Sequence, residues 1–173
     1  NLAGATVAIT SVFVSGQDVL SYVAGTISGS FNTSNGILTL TGSATVADYN
    51  TALRAVTFAN NSENPTAGAR TIQFTVSDGV TTSNALSRTL NVAAGNDAPV
   101  LASLEATTIN YNENAGEVAL SATIAASDID NANLAGATVA ITSGYATGQD
   151  VLSFVTAGAI SGSFDAGSAT LTL

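Results

Sequence analysis

The chain has no cysteine, histidine, methionine or tryptophan, only two prolines, and three basic residues against twelve acidic ones. Without Cys or His there is no disulfide, thiol nucleophile or imidazole base, and the usual zinc and copper ligands are missing. A net charge of −9 disfavours nucleic acid and anionic lipid as direct partners, since both are themselves negative. The apolar runs are far too short to span a bilayer, so membrane insertion is not expected, and nothing at the amino terminus reads as a signal peptide. With no Met to mark a translation start, the sequence reads as an internal window of something longer. Hydrophobic residues make up 46% of the chain and charged residues 9%, which suits a folded protein rather than a disordered acidic tail.

What the chain does have is repetition. NLAGATVAIT at Asn1 returns unchanged at Asn133, and 18 of the 23 positions from Asn1 to Val23 match their partners 132 residues on. ISGSF then recurs at Ile27 and Ile160 after a one-residue insertion. A period of this length in 173 residues gives about one and a third units of an array, and in arrays function comes from repetition itself. Apolar alternation stops at Ala93 to Pro99, AAGNDAP, which sets the boundary. Residues 1–95 are read as the later part of one unit, 96–99 as a linker, and 100–173 as the early part of the next. Each part then lacks strands, and the open sheet edges left behind seek partners.

Short strands broken by Gly, Asn, Asp and Ser turns predict an all-β sandwich. The clearest strand is Thr71 to Val76, with Ile72, Phe74 and Val76 on one face, and Val118, Leu120, Ala122 and Ile124 repeat its alternation. Leu86, Leu90 and Val92 continue the pattern, but Arg88 falls on their parity and predicts a bulge or an exposed strand end. NTSNG between Ile27–Phe31 and Ile37–Thr41 predicts a hairpin, and DAGSA plays its part in the second unit. Thr45 and Asp48 fit a capping box for one short helix over Ala47 to Ala55, with Tyr49 and Leu53 on one face. Asn60 to Ala69 reads as an exposed polar loop tolerant of change.

The acids are unevenly placed. Residues 1–88 carry four acids and three Arg, whereas residues 89–173 carry eight acids and no base. Uncompensated carboxylates in so weakly charged a chain invite a hard divalent cation, with calcium the natural candidate. Calcium takes six to eight oxygens at about 2.3–2.6 Å, and Asp-x-Asp at a strand end turns two carboxylates to one side.

VSDGV at Val76, then an alternating strand and GNDAPV at Gly95, followed by NEN at Asn112 and SDIDNAN at Ser127, resembles bacterial cadherin-like repeats of large secreted adhesins. The order and gaps suit that family, with 16 residues from Asp97 to Glu113 and 31 to Asp128. The resemblance implies an Ig/cadherin-like Greek-key β-sandwich in tandem, one short helix per unit, and Ca2+ at each junction. It assigns the ligands Asn96 and Asp97 from the linker and Asp128 and Asp130 from the following unit. Asn133 is a weaker candidate in the same loop, and Glu113 would serve the next junction downstream. Ala94 stands where the family's linker has its first Asp, which implies fewer ligands here. A 132-residue period is also longer than a usual cadherin domain.

Other acids carry local explanations. Gln17-Asp18 and Gln149-Asp150 precede strands and read as Asx turns, Asp78 before Gly79 as a hairpin turn, Asp48 as a helix cap, and Glu63 as a loop acid. Asn32 and Asn60 fit the short glycosylation pattern, which arises often by chance.

The expected function is a structural repeat of a long extracellular adhesin or surface filament, secreted or on the cell surface, stiffened by Ca2+. Its partners would be neighbouring repeats or copies of the same protein, through strand complementation. The alternative is a carbohydrate-binding module for surface polysaccharide, for which Phe13, Tyr111 and Tyr145 are the candidate exposed rings, Phe31, Phe58, Phe74 and Phe154 having core-like neighbours. Asp128 and Asp130, two residues apart in an acidic loop, read as ligands rather than an acid–base pair, and no enzymatic activity is expected.

Overall fold

Ala5, Val7 and Ile9 alternate with Thr6, Ala8 and Thr10, so an extended chain here presents one apolar face, and that face is buried. This strand, β1 (Leu2–Ser11), is the centre of the first of two units, Asn1–Asn96 and Asp97–Leu173, in a computed structural model that describes all 173 residues. The first unit continues with β2 (Asp18–Ser21), β3 (Ser28–Asn32), β4 (Ile37–Ala44), α1 (Val46–Arg54), β5 (Thr57–Asn60), β6 (Gly68–Ser77) and β7 (Leu86–Val92). Five of these strands form an antiparallel sheet in the order β3-β4-β1-β6-β7, and β2 and β5 pair as a separate ribbon.

One core joins them. Val7 and Leu40 are fully buried, with Leu38 and Ile72 beside them on the sheet, Leu20 on the ribbon and Tyr49 on the helix. Burying each of the large aliphatic side chains among them contributes about 1.5–3 kcal/mol. The helix forms where its capping box predicts it. Thr45 accepts from Asp48 N at 3.1 Å, the Asp48 carboxylate accepts from Thr45 N at 3.1 Å, and hydrogen bonds from Thr45 hold the Asp48 carboxyl below its usual range. Tyr49, buried on its inner face, donates its hydroxyl to Gly42 O at 2.7 Å.

The NTSNG hairpin also forms, closed by Ser34 N to Asn32 Oδ1 and Ile37 N to Asn35 Oδ1, with Gly36 at φ +71°. Of the two alternatives expected at Arg88, a bulge or an exposed strand end, the bulge is absent, since β7 pairs with β6 in unbroken register from Gly68↔Val92 to Phe74↔Leu86, and the start of β7 is exposed. Arg88 is instead exposed on an edge strand, and the parity conflict costs nothing because that part of the sheet is uncovered.

The second unit has β8 (Val100–Ala102), β9 (Ala125–Ser127), β10 (Thr138–Ala140), β11 (Ser163–Asp165) and β12 (Thr170–Thr172). β8 pairs with β9, and the others form a sheet in the order β10-β12-β11. Only Ala169 and Leu171 are buried hydrophobics here. The strand expected through Val118 and Ile124 is not formed, and Val118, Leu120 and Ile124 are 40%, 57% and 50% exposed. Alternation alone does not make a strand when no neighbouring backbone takes up its hydrogen bonds. One helix is seen, in an architecture that is otherwise all-β.

Candidate metal centre

The antiparallel pairing of β8 with β9 sets Val100 opposite Ser127, so the residues just before β8 meet those just after β9. Asp97 and the acidic loop Asp128–Asn131 are thereby brought together. Asp97 N donates to Asp130 Oδ2 in a short hydrogen bond. Asp128 Oδ1 closes the loop itself, accepting from the backbone N–H groups of Asp130 at 2.9 Å and Asn131 at 2.7 Å. That is an Asx turn, the local geometry Asp favours after a strand. Both Asp128 and Asp130 are half-buried. Asp130 Oδ1 is buried with no hydrogen-bond partner, a costly state for a carboxylate oxygen and one a cation relieves.

The other predicted ligands are Asn96 and Asn133 for this loop and Glu113 for a different junction. Asn96 is exposed and is the last residue of the first unit. Asn133 is exposed in the segment before β10, and Glu113 is exposed in a turn where Ala115 N donates to Asn112 O and Asn114 adopts φ +62°. No three acidic side chains stand close enough together to share one ion. The fit to a hard cation therefore rests on Asp130 and Asp128 with Asp97 beside them, which is fewer donors than calcium takes from a protein cage. Comparison with protein-family models, curated proteins and solved structures gives no match.

The strongest electrostatic feature went unread in the sequence. Asp18 and Arg70 form a fully buried ion pair, with Nε to Oδ2 at 3.1 Å and an Arg70 Nη2 to Asp18 Oδ1 bond at 3.3 Å. Burial pushes the Asp18 carboxyl up, but hydrogen bonds from Arg70, Val14 N and Asn60 outweigh it and leave it below the usual carboxylate range. Asp18 does shape a turn, though not an Asx turn: its carboxylate accepts from Val14 N, four residues back, at 2.9 Å. The loop after β5 is tied to the same place, because Asn60 Nδ2 donates to Asp18 Oδ1 at 2.8 Å and Thr66 N to Gln17 Oε1 at 3.0 Å. That loop is consequently less tolerant of change than its polar composition implied. The available signal was an Arg at the head of the most regular strand in a chain with only three basic residues.

Glu105 is a second residue the sequence did not mark. Ser121 Oγ donates to it at 2.6 Å and Ala122 N at 2.8 Å, and these bonds hold its carboxyl at about 2 against an ordinary 4.5. It ties the segment after β8 to the segment before β9 and is too far engaged in that task to be a free ligand. Asp78 behaves as a turn acid, accepting from Val80 N and Thr81 N with Gly79 at φ +96°. Of the three candidate rings, Phe13 packs edge-on against Phe31 with centroids 6.4 Å apart, and Tyr145 does the same against Phe164 at 6.4 Å. Only Tyr111 is an exposed ring, at 65%.

Proposed function

We propose that this chain is a stretch of a tandem-repeat extracellular protein of the bacterial cadherin-like kind, an adhesin or surface filament whose units are Greek-key β-sandwiches. The observation that carries this reading is a register repeated within one molecule. In the first unit Leu38 lies between Val7 and Phe31; in the second, Leu171 lies between Val139 and Phe164. The same edge-on ring pair sits over each hairpin. A protein that repeats a β unit with this fidelity multiplies length and surface, and its role is structural rather than catalytic.

Calcium is the proposed stiffener. Asp130 and Asp128 would hold it, with Asp97 beside them, and the support is the unpartnered Asp130 oxygen in a unit that contains eight acids and no base. The ion would supply positive charge where carboxylates otherwise repel, and would suppress the relative motion expected of adjacent domains. Extracellular modules of this type bind at about 10⁻⁴–10⁻³ M, which suits a secreted or cell-surface protein. Thermal unfolding with and without millimolar calcium tests it. Calcium should raise the melting temperature of the native chain and leave Asp128→Ala and Asp130→Ala unmoved; no shift in the native chain sinks the calcium reading.

A second reading, a polysaccharide-binding module, has one observation in its favour. Tyr111 lines an open groove of about 530 Å³ in the second unit with Glu117, Gln149 and Asp150, which offers one ring and polar groups to a sugar. A glycan array without hits removes it.

A further inference from the structure

Three places in the chain spell Asn-x-Ser/Thr: Asn32-Thr33-Ser34, Asn60-Asn61-Ser62 and Asn64-Pro65-Thr66. The proline in the middle of the last excludes it as an acceptor for a sugar. The other two are equal in sequence and unequal in the fold. What separates them is the side-chain nitrogen, because Nδ2 is the atom that takes the sugar.

In Asn60 that nitrogen is engaged. The residue is half-buried at the end of β5, and its Nδ2 donates at 2.8 Å to Asp18 Oδ1, the same oxygen that accepts from Arg70 Nη2. A hydrogen bond to a carboxylate is among the stronger ones in a fold, so Asn60 is shielded about tenfold or more relative to a free asparagine.

Asn32 is the reverse case. It ends β3 as an exposed residue and is followed by exposed Thr33 and Ser34 in the hairpin turn. Its Oδ1 accepts from Ser34 N at 2.9 Å, which holds the amide against the third residue of its own triplet, and its Nδ2 has no partner in the fold. Phe31 packs against the core, so by strand alternation Asn32 stands on the outer face of the sheet with Ser28 and Ser30. A bulky group on Nδ2 is carried there without displacing packed side chains.

The strand that bears Asn32 also lacks what other sheet edges have. β3 is an outer strand of the five-stranded sheet, and its sequence SGSFN holds no charge. β7, the opposite edge, has Arg88, and β11, an outer strand in the second unit, ends in Asp165. Charge is one way to keep a free edge from pairing with stray strands, and cover is another. By the repeat of ISGSF, Asp165 is the counterpart of Asn32, and it makes the same turn, its Oδ1 accepting from Gly167 N at 2.8 Å. One copy has a carboxylate at this point and the other a sugar acceptor.

From this we infer that Asn32 is an N-glycosylation site of the folded chain and that Asn60 is not. The partner is a glycosyltransferase, with an activated sugar diphosphate as its co-substrate. In the transfer the bond from the sugar C1 to the phosphate oxygen breaks and C1 bonds to Nδ2. The diphosphate departs with the bonding electrons, and Nδ2 gives up one proton. The inference goes beyond the tandem-repeat reading and makes no use of calcium.

Trypsin separates the two sites, since cleavage after Arg54 and Arg70 leaves Asn32 in the fragment that ends at Arg54 and Asn60 in residues 55–70. Mass spectrometry of the chain recovered from the cells that make it should find a sugar on the first fragment and none on the second. The sugar should be lost in Ser34→Ala, which keeps Asn32 and removes the hydroxyl that the triplet requires. It should also be lost in Asn32→Asp, a change that the Asp165 turn shows the hairpin to accept. Circular dichroism checks that both variants are folded. A bare first fragment overturns the inference, as does a sugar on residues 55–70. So does a sugar on the first fragment that survives Asn32→Asp, which would place it on a Ser or Thr hydroxyl. Protease treatment of whole cells reads separately whether the chain is extracellular, so a bare Asn32 on a surface-exposed chain counts against this inference alone.

Discussion

Leu2–Ser11 and residues 134–143 are the same ten amino acids, LAGATVAITS, yet the first copy is a ten-residue strand and the second is a strand only at Thr138–Ala140. Local propensity is identical, so the difference is tertiary. β1 is paired with β4 from Leu2 to Ala8 and with β6 from Gly4 to Ser11, so it has a partner along its whole length and two over its middle. β10 has β12 alone, over three residue pairs, and its other edge is unpaired. A strand extends as far as its neighbours do, because unpaired backbone groups gain nothing from being held extended.

The largest break between the two copies should come at Asp18 and its counterpart Asp150. Both carboxylates close the same turn, Asp150 Oδ2 accepting from Ala146 N at 2.8 Å, but only Asp18 meets a buried arginine. Asp18→Ala strands the Arg70 charge and should cost about 3–5 kcal/mol. Asp150→Ala should cost about 1 kcal/mol, the value of a single hydrogen bond. Urea unfolding followed by hydrogen exchange, which resolves the two units, measures both. Next in size, Leu20→Ala should cost about 2–5 kcal/mol, because Leu20 is 2% exposed in a filled core. Its half-buried counterpart Leu152 should cost distinctly less. Equal losses at the two leucines would show the second unit to be better packed than described.

A smaller effect should change sign between copies. Gly36 sits at φ +71° with a Cβ position 2.8 Å from the Phe13 ring, whereas Ala169 occupies the matching place at φ +55°. Gly36→Ala should destabilise the first unit and Ala169→Gly should stabilise the second, each by about 1 kcal/mol from the left-handed conformation alone. The ring contact adds to the loss at Gly36. Melting temperatures of the two single variants decide it.

The finest distinction is acid sensitivity in the second unit. The Glu105 carboxyl is lowered from 4.5 to about 2, so its contribution is fully present above the unfolded value and is lost as pH falls from 4.5 through about 2. Protection of the Ala122 amide, which donates to Glu105, should fade over that window in the native chain. In Glu105→Gln it should already be weakened at neutral pH and show no such step.

Much of the first unit was legible because its signals are local. The Thr45/Asp48 cap, the NTSNG hairpin and the alternation of Thr71 to Val76 each need only nearby residues, and each formed. Arg88 was legible as an anomaly, and one of the two alternatives it raised, an exposed strand end, matches its exposure near the start of β7. What could not be read depends on distant partners. Asp18 and Arg70 are 52 residues apart, and nothing near Asp18 announces a buried cation. The apolar alternation at Val118 to Ile124 spelled a strand, but the sequence does not state whether a neighbour is there to receive it. The acidic loop was legible as a loop, and its closeness to Asp97 followed once β8 and β9 paired. Glu113 and Asn133 were proposed through resemblance alone, Glu113 for a different junction, and no cluster of three acidic side chains gathers around either.

The strand order of the first unit has a mechanical consequence. β1 begins at the end of the sheet where Gly4 meets Ser77, and β7 finishes at the opposite end, where Val92 meets Gly68. Tension between the two ends of this unit would therefore pull along the strands rather than peel one from its neighbour. Antiparallel ladder bonds lie across the strands, so such a load is shared by the rungs of β1, β6 and β7 at once. The unit is wired to resist stretching by shear over roughly 30 Å of paired strand, the span of its ten-residue strands at about 3.3 Å per residue.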